Sequence, residues 1–210
     1  MAWELWRQDD HGNEFLVRAF GDRAAAHAGR DAFEARGHHQ HYWVVERPGD
    51  VAVRPLDGGE RPWLRELLTL RWGGEDVHGR GRSWRPGELD ALVAVERGER
   101  IGVATFVVDG EEAELVTLDA LAQGRGAGRA LIDAVAAVAR EAGASRLRVM
   151  TTNDNLRALR LYQRAGFRLE ALRAGAVDVA RELKPSIPAT GLDGIPIRDE
   201  LDLVLDLVTP

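Results

Sequence analysis

Hydrophobic and polar positions follow two different periods along the chain, and the changes between them mark the predicted elements. The first elements, in chain order, are strands over residues 3–7 and 15–20, a helix over residues 23–36 and a strand over residues 41–45. Asp22 is placed to cap the helix and Gly37 to end it. Residues 1–47 are therefore predicted to form a small ββαβ module, which ends at Pro48 and Gly49.

Residues 48–210 alternate between strand-like and helix-like periods, which predicts a second and larger domain. Strands are predicted over residues 51–54, 91–96, 101–108, 112–118, 147–151 and 201–208, with a short extended piece over residues 167–169. Helices are predicted over residues 62–70, 127–142 and 156–165, with a further turn or two over residues 175–183. A loop or a broken helix is predicted over residues 73–87, and a long loop over residues 184–198. This order indicates a mixed α/β (α+β) domain.

Apolar stripes predict which face of two helices and of the last strand is buried. The stripes consist of Trp63, Leu67 and Leu70 in the first helix of this domain, of Leu131, Val135, Val138 and Ala142 in the second, and of Leu201, Leu203, Leu205 and Leu207 in the strand.

Composition limits the classes of protein to which the chain can belong. Hydrophobic residues make up 45% of the 210 residues and charged residues 30%, which is typical of a globular protein with a real core. The net charge of -6 argues against a broad nucleic-acid surface. The absence of cysteine excludes disulfides, thiolate catalysis and cysteine-ligated metals. A polar N-terminus and the lack of a long apolar stretch predict a cytoplasmic protein without a membrane span.

Three histidines of the first module, His38, His39 and His41, are close enough in sequence to suggest a metal site. A polar turn that leads into a strand explains the same residues, and we favour it, so no metal is predicted.

A glycine-rich turn, Gln123-Gly-Arg-Gly-Ala-Gly128, lies between a predicted strand and a long predicted helix. Glycines at alternate positions let the backbone turn tightly and present bare N–H groups, and the helix adds the positive end of its dipole. Such a turn suits a pyrophosphate. A Walker loop does not fit because Arg129 and Ala130 follow Gly128, and the dinucleotide pattern fails at Arg129.

The next strand and helix extend this turn into a longer pattern. They contain Asn155, Ala158 and Tyr162, followed by Gly166 and Phe167. In order and spacing the two pieces together resemble the acetyl-CoA signature of the GNAT superfamily of acyl-CoA-dependent N-acetyltransferases. The resemblance covers about residues 50–208 and implies the GNAT fold, a mixed and mostly antiparallel sheet flanked by helices.

The resemblance also implies how acetyl-CoA binds. The turn would hold the pyrophosphate, and the pantetheine arm would lie like an extra strand at a V-shaped opening in the sheet. The residues implied are Leu118, Asp119, Ala120, Gln123, Gly124, Arg125, Gly126, Ala127, Gly128, Arg129, Asn155 and Tyr162. Arg125 and Arg129 are expected to add charge-assisted hydrogen bonds to the pyrophosphate.

Transfer of an acetyl group to an amine needs a base and an acid. Family members often carry a base on the strand before the turn, and Glu114 is the first candidate here and Glu112 the second. Either is equally well explained as a solvated edge carboxylate, and the stretch before Gln123 is about two residues shorter than in the family. Tyr162 matches the family acid, although core packing explains it too, and Asn155 can also be a helix N-cap.

The acceptor site is expected between two loops, over residues 73–84 and 184–199. Their candidate contacts are Arg80, Arg82 and Trp84 for an acidic or aromatic acceptor, and Asp199 and Glu200 for an ammonium, although each is also an ordinary loop residue. The predicted partners are acetyl-CoA and an amine, with a homodimer as an open possibility.

The first module resembles a short SPOR-like unit, in which Trp3, Trp6 and the Tyr42-Trp43-Val44 strand carry the likeness. A packing, dimerisation or gating role is expected for it. Two alternatives to the enzyme therefore stay open at this point: an acyl-CoA-binding sensor without turnover, and an interaction protein that acts through residues 1–47.

Overall fold

The computed structural model describes residues 3–37, 40–46 and 51–208, so His38, His39 and the predicted boundary at Pro48 and Gly49 lie outside the described residues. The chain divides into two compact units, Met1–Val51 and Ala52–Pro210. In the described part, no helix is long and apolar enough to cross a membrane.

The first unit is a three-stranded antiparallel sheet with one helix, in the ββαβ order that the sequence predicts. Its elements are β1 (Trp3–Gln8), β2 (Glu14–Phe20), α1 (Arg23–Glu34) and β3 (His41–Glu46), and β1 is the central strand. The Asp22 carboxylate caps α1 by accepting the N–H of Ala25 at 2.8 Å. The helix packs on the sheet through stacked rings of Phe33 and Tyr42, beside the buried Leu5.

The second unit contains nine strands and four helices of the described chain. They are β4 (Ala52–Pro55), α2 (Arg61–Trp72), β5 (Val77–Gly79), β6 (Arg82–Trp84), β7 (Asp90–Glu96), β8 (Glu99–Asp109), β9 (Glu112–Ala120), α3 (Ala127–Glu141), β10 (Arg146–Thr152), α4 (Leu156–Arg164), β11 (Arg168–Arg173), α5 (Ala176–Leu183) and β12 (Glu200–Asp206). The loop predicted over residues 73–87 is therefore wrong in part, because β5 and β6 form a hairpin within it.

Seven of these strands make one sheet in the order β11-β12-β10-β9-β8-β7-β4. Among the described strands of this sheet, β9 and β10 are the one parallel pair of neighbours. They run in the same direction because the connection through α3 returns the chain to the end of the sheet where β9 begins. The other neighbours are antiparallel.

Helices cover both faces of this sheet at β7 and β8. Leu64 and Leu68 of α2 pack against a cluster on one face that includes Val93 and Val103. Gly102, the residue before Val103 in β8, faces the other side of the sheet, where an added Cβ would come within 3.0 Å of Leu131 in α3. The sheet is thus the middle of three layers.

The predicted buried faces of two helices are each displaced from the observed ones. Leu70 is 82% exposed, since the stripe that α2 buries is centred on Leu64 and Leu68, one position away from the predicted stripe. In α3, Val138 is exposed while Ala136 and Ala139 are buried. Where apolar residues are adjacent in sequence, the pattern alone does not fix which side of the helix is buried. That side is determined by how the helix packs on the sheet.

An ion pair joins β4 to the start of α2. The Arg54 guanidinium donates to both oxygens of Glu60, at 2.6 and 2.9 Å, and Glu60 also accepts the N–H of Asp57. The Arg54 guanidinium is the main cause that lowers the pKa of Glu60 to about 2. A carboxylate with a lowered folded-state pKa contributes stability above its unfolded value of 4.5, and that contribution is lost as the pH falls toward 2.

We therefore expect Glu60→Gln to destabilise the protein by at most about 1 kcal/mol at neutral pH, the range for a surface ion pair, because glutamine can still accept the N–H of Asp57. Thermal unfolding of both proteins between pH 7 and pH 3 tests the origin of the effect. The gap in Tm should be constant above pH 5 and should narrow below it. An equal gap at pH 3 and pH 7 would contradict an ionic contribution.

Candidate active site

The strands β9 and β10 separate after only four paired residues. Glu112–Leu115 of β9 pair with Arg146–Val149 of β10, and beyond them the two strands diverge. On the other side of β9, Thr105 and Phe106 of β8 pair with Thr117 and Leu115, so Val116 is an extra residue in a β-bulge. The result is the V-shaped opening that the family resemblance implies.

A cavity of about 250 Å³ lies at this opening. Its wall is formed by side chains from β9, β10, α4, α5 and the β5–β6 hairpin, and by the first residue of β12. The lining residues include Trp72, Val77, His78, Trp84, Glu114, Val116, Leu118, Met150, Asn155, Tyr162, Val177, Lys184, Ile187 and Glu200. Two predicted catalytic residues, Glu114 and Tyr162, are therefore brought together.

The glycine-rich turn lies between the end of β9 and the start of α3. Gly124 and Gly126 have φ angles of 74° and 79°, a left-handed conformation that other residues adopt only with strain. Gly126 is the N-cap of α3, so the N–H groups of the first turn have no partner within the helix. Gly128 has a different role, because a Cβ there would come within 2.9 Å of the Leu161 side chain, which would have to shift.

Both arginines of the turn have partners within the protein. The Arg125 guanidinium forms an ion pair with Glu96, a buried carboxylate at the end of β7. Arg129 binds Asp133 at 2.8 Å and donates to the carbonyl oxygen of Arg164 at 3.0 Å. Gln123 is exposed beside them. The turn thus supplies backbone N–H groups, and its arginine side chains brace neighbouring elements.

Tyr162 is buried, with 6% of its surface exposed, and its ring packs against Phe167 at 5.7 Å between centroids. Burial raises the pKa of its hydroxyl, and the negative charge of Asp119 raises it further. The phenol is therefore protonated at neutral pH and can donate a proton into the cavity. Tyr162 is thus both a packed residue and part of the cavity wall.

Asn155 is a helix N-cap that lies at the cavity, which leaves its expected role in cofactor binding open. Its side-chain oxygen caps α4 by accepting the N–H of Ala158 at 3.1 Å, and the residue also lines the cavity.

The two candidate bases have opposite surroundings. Glu114 lines the cavity with 13% of its side chain exposed, and burial raises its pKa, although Arg80 and Arg82 at 4.0 and 3.8 Å oppose the rise. The indole N–H of Trp84 is buried and makes no hydrogen bond of ordinary geometry. It nevertheless opposes the rise in the pKa of Glu114, because it favours the ionised form of that carboxyl group. Glu112 is half exposed, and the Arg148 guanidinium at 2.9 Å lowers its pKa. Glu114 is thus the stronger base.

The end of β9 presents both backbone and side chains to the opening. Leu118 lines the cavity, and Ala120 ends the strand opposite Gly102. Asp119 is buried and accepts the indole N–H of Trp72 at 2.9 Å, while burial raises its pKa. Since β8 occupies one edge of this segment and β10 has turned away, the other edge remains available for an extended ligand.

The hairpin β5–β6 and the segment before β12 form the remaining wall. Arg80 donates its backbone N–H to the Glu200 carboxylate at 3.0 Å, and its guanidinium lies 3.5 Å from Asp202. Arg82 stacks on the Trp84 ring at 5.0 Å. Asp199 is occupied, because it accepts the N–H of Gly175 at 2.9 Å.

Several cavity residues have no site role in the sequence analysis, although His78 and Lys184 lie within the two loops expected to form the acceptor site. His78, Trp72 and Lys184 carry no recognisable motif, and each reaches the cavity only through the fold. The ammonium of Lys184 donates to the carbonyl oxygens of Trp72 and Asp76 at 2.7 and 2.8 Å, which ties α5 to the end of α2. No sequence signal predicts that contact.

The comparisons with known proteins agree on one family. Residues 61–167 match the model of the Acetyltransferase (GNAT) family. The Bacillus subtilis protein YdhI, whose own function is uncharacterised, is 38% identical over 139 residues, which are 66% of this chain and 87% of YdhI.

Solved structures show the same fold at lower identity. A Bacillus subtilis acetyltransferase in complex with CoA is 20% identical with a TM-score of 0.56, over 76% of this chain and 100% of that one. A GNAT acetyltransferase from Elizabethkingia anophelis with acetyl-CoA bound has the same identity and TM-score, over 75% and 98%. The family match, the YdhI relationship and the shared fold together show that the chain belongs to the GNAT acetyltransferase family.

Proposed function

We propose that the protein is an N-acetyltransferase that moves the acetyl group of acetyl-CoA to a primary amine by direct attack. The observation that carries the proposal is that Glu114 and Tyr162 line one cavity, where the edge of β9 is unpaired. A base and an acid with access to the same space are what this reaction requires.

Acetyl-CoA would bind across the opening. Backbone N–H groups over residues 124–128, which include that of Ala127, suit the pyrophosphate, and Gln123 precedes them. Arg129 is better placed than Arg125 to reach the pyrophosphate, since it is half exposed and Arg125 neutralises a buried carboxylate. On binding, Arg129 would exchange the Asp133 carboxylate for an oxygen of the pyrophosphate and form a charge-assisted hydrogen bond with it.

The pantetheine arm would follow the free edge of β9 over Leu118, Asp119 and Ala120 and would pair with their backbone. Asn155 faces the same space from the start of α4. The bulge at Val116 turns a backbone N–H out of the ladder, where it can stabilise charge that develops on a carbonyl oxygen.

The chain's side chains supply the proton transfers. An alkylammonium has a pKa near roughly 10.4, so it must lose a proton before its nitrogen can attack. Glu114 takes that proton, directly or through a water molecule. The bond from nitrogen to the acetyl carbon then forms as the carbon–sulfur bond breaks, and Tyr162 gives its proton to the departing thiolate. The second proton of the attacking nitrogen restores the Tyr162 hydroxyl, directly or through water, and Glu114 releases the first proton to solvent.

Binding of acetyl-CoA tests the turn. We expect Gly126→Glu to lower the affinity for acetyl-CoA at least about tenfold in a calorimetric titration, because the new carboxylate would lie where the pyrophosphate binds. Gly143→Glu is a matched control, since Gly143 has a φ of 91° and open space around it at the far end of α3. Equal affinity of both variants and the wild type would overturn the proposed cofactor site.

Tyr162→Phe tests the acid. The variant keeps the ring that packs on Phe167, so we expect unchanged affinity for acetyl-CoA and a kcat lower by roughly 10²-fold. Tyr42→Phe, at the second tyrosine of the chain, serves as the control. A kcat for Tyr162→Phe within about twofold of the wild type would show that the hydroxyl transfers no proton.

The pH profile tests the base. The pKa of Glu114 is raised above 4.5, and its ionised form is the active one, so kcat/KM should fall as the pH drops through that pKa. Glu114→Gln should lower kcat by roughly 10²-fold and remove this acidic limb. Glu112→Gln is the comparison, and a larger loss there would transfer the role of base to Glu112.

A further inference from the structure

Glu200 is a buried carboxylate that the proposed mechanism does not use. It lies at the start of β12, is 4% exposed and lines the same cavity as Glu114. One of its oxygens, Oε2, accepts the N–H of Arg80, and Oε1 has no hydrogen-bond partner among the described residues. Because Glu200 lines the cavity, this second oxygen is available to a ligand that donates hydrogen bonds.

The cations near the cavity are already engaged. The ammonium of Lys184 donates to two backbone carbonyls, and the guanidinium of Arg80 lies beside Asp202 and Glu114. Arg82 stacks on Trp84 and also lies 3.8 Å from Glu114. No ion pair with Glu200 occurs within the described ranges, so the N–H of Arg80 is the one hydrogen bond that its carboxylate receives there, and the group is open to a cation in the cavity.

The rest of the wall is largely apolar. Aromatic surface comes from Trp72 and Trp84, and aliphatic surface from Val77, Met150 and Ile187. A carboxylate at one end of an apolar space is complementary to an ammonium on a hydrophobic body. The same space disfavours an acceptor with a carboxylate next to its amine, because that charge would be buried beside Glu114 and Glu200.

We infer that the acceptor is a small primary amine on an apolar body, of the phenylalkylamine class, whose ammonium is bound by Glu200 while Glu114 removes its proton. The inference rests on the proposed function and specifies its acceptor. Glu200 is then a binding residue: it holds the ammonium and does not itself exchange a proton. The amide formed has no positive charge, so the product loses this contact and leaves.

A matched pair of acceptors tests the substrate class with the wild-type protein. 2-Phenylethylamine and L-phenylalanine share the ring and the amine, and they differ by the carboxylate. With thiol release as the measure of turnover, we expect kcat/KM to favour 2-phenylethylamine by at least about 100-fold. Equal use of the two, or preference for phenylalanine or for a peptide with a free N-terminus, would overturn the inference.

Glu200→Gln tests the residue. Glutamine still offers an oxygen to the N–H of Arg80, so the hairpin should keep its place. We expect KM for 2-phenylethylamine to rise at least about tenfold, with kcat and the affinity for acetyl-CoA changed less than about threefold. Asp206→Asn, an exposed carboxylate at the other end of β12 that pairs with Arg168, is the control. An unchanged KM in Glu200→Gln would remove Glu200 from the acceptor site.

The same assays separate two kinds of failure. Turnover of phenylalanine or of the peptide, without turnover of 2-phenylethylamine, would leave the acetyltransferase proposal standing and overturn the acceptor class. Binding of acetyl-CoA without turnover of any of the three acceptors would overturn both and would favour a protein that binds acyl-CoA without catalysis.

Discussion

The four residue pairs between β9 and β10 determine where this protein can do chemistry. A parallel pair requires a crossover, and the crossover helix α3 brings its N-terminus to the end of β9. Divergence of the strands after Leu115 and Val149 then exposes a strand edge within the sheet. An exposed edge inside a domain is otherwise unfavourable, because its backbone groups have lost their partners. The cavity, the turn and the catalytic candidates all depend on this opening.

Charge balance around the opening is a second constraint, and it spans four strands. Asp202 in β12 lies beside Arg80 from the hairpin and binds Arg173 of β11 at 2.6 Å, while Arg80 also approaches Glu114 in β9. Buried carboxylates remain charged only when cations or hydrogen bonds compensate them. Glu114 receives partial compensation, which leaves it more basic than a surface glutamate, whereas Glu112 is neutralised by Arg148.

Much of this arrangement could be predicted from the sequence. The parts that could not be predicted have a common cause. Local patterns predict the strand and helix order, the turn at Gly124 and Gly126, and the positions of Asn155 and Tyr162 at the start of α4 and within it. The β5–β6 hairpin does not, because its two-residue turn places Arg80 at a φ of 54°, where asparagine or glycine is usual. The backbone N–H of Arg80 donates a hydrogen bond to the carboxylate of Glu200, which is 120 residues away in the chain. Such contacts, like the partners of Arg125 and Lys184, exist only after folding.

Lys184 has a chemical consequence for a protein that handles an activated acyl group. It is the single lysine of the chain, and its ammonium is half-buried and hydrogen-bonded to two carbonyl oxygens. Every other basic side chain apart from histidine is a guanidinium, which stays protonated and does not attack a thioester at physiological pH. The arginines are thus poor competitors for the acyl group, and among the basic side chains Lys184 alone offers an amine that a bound thioester could modify.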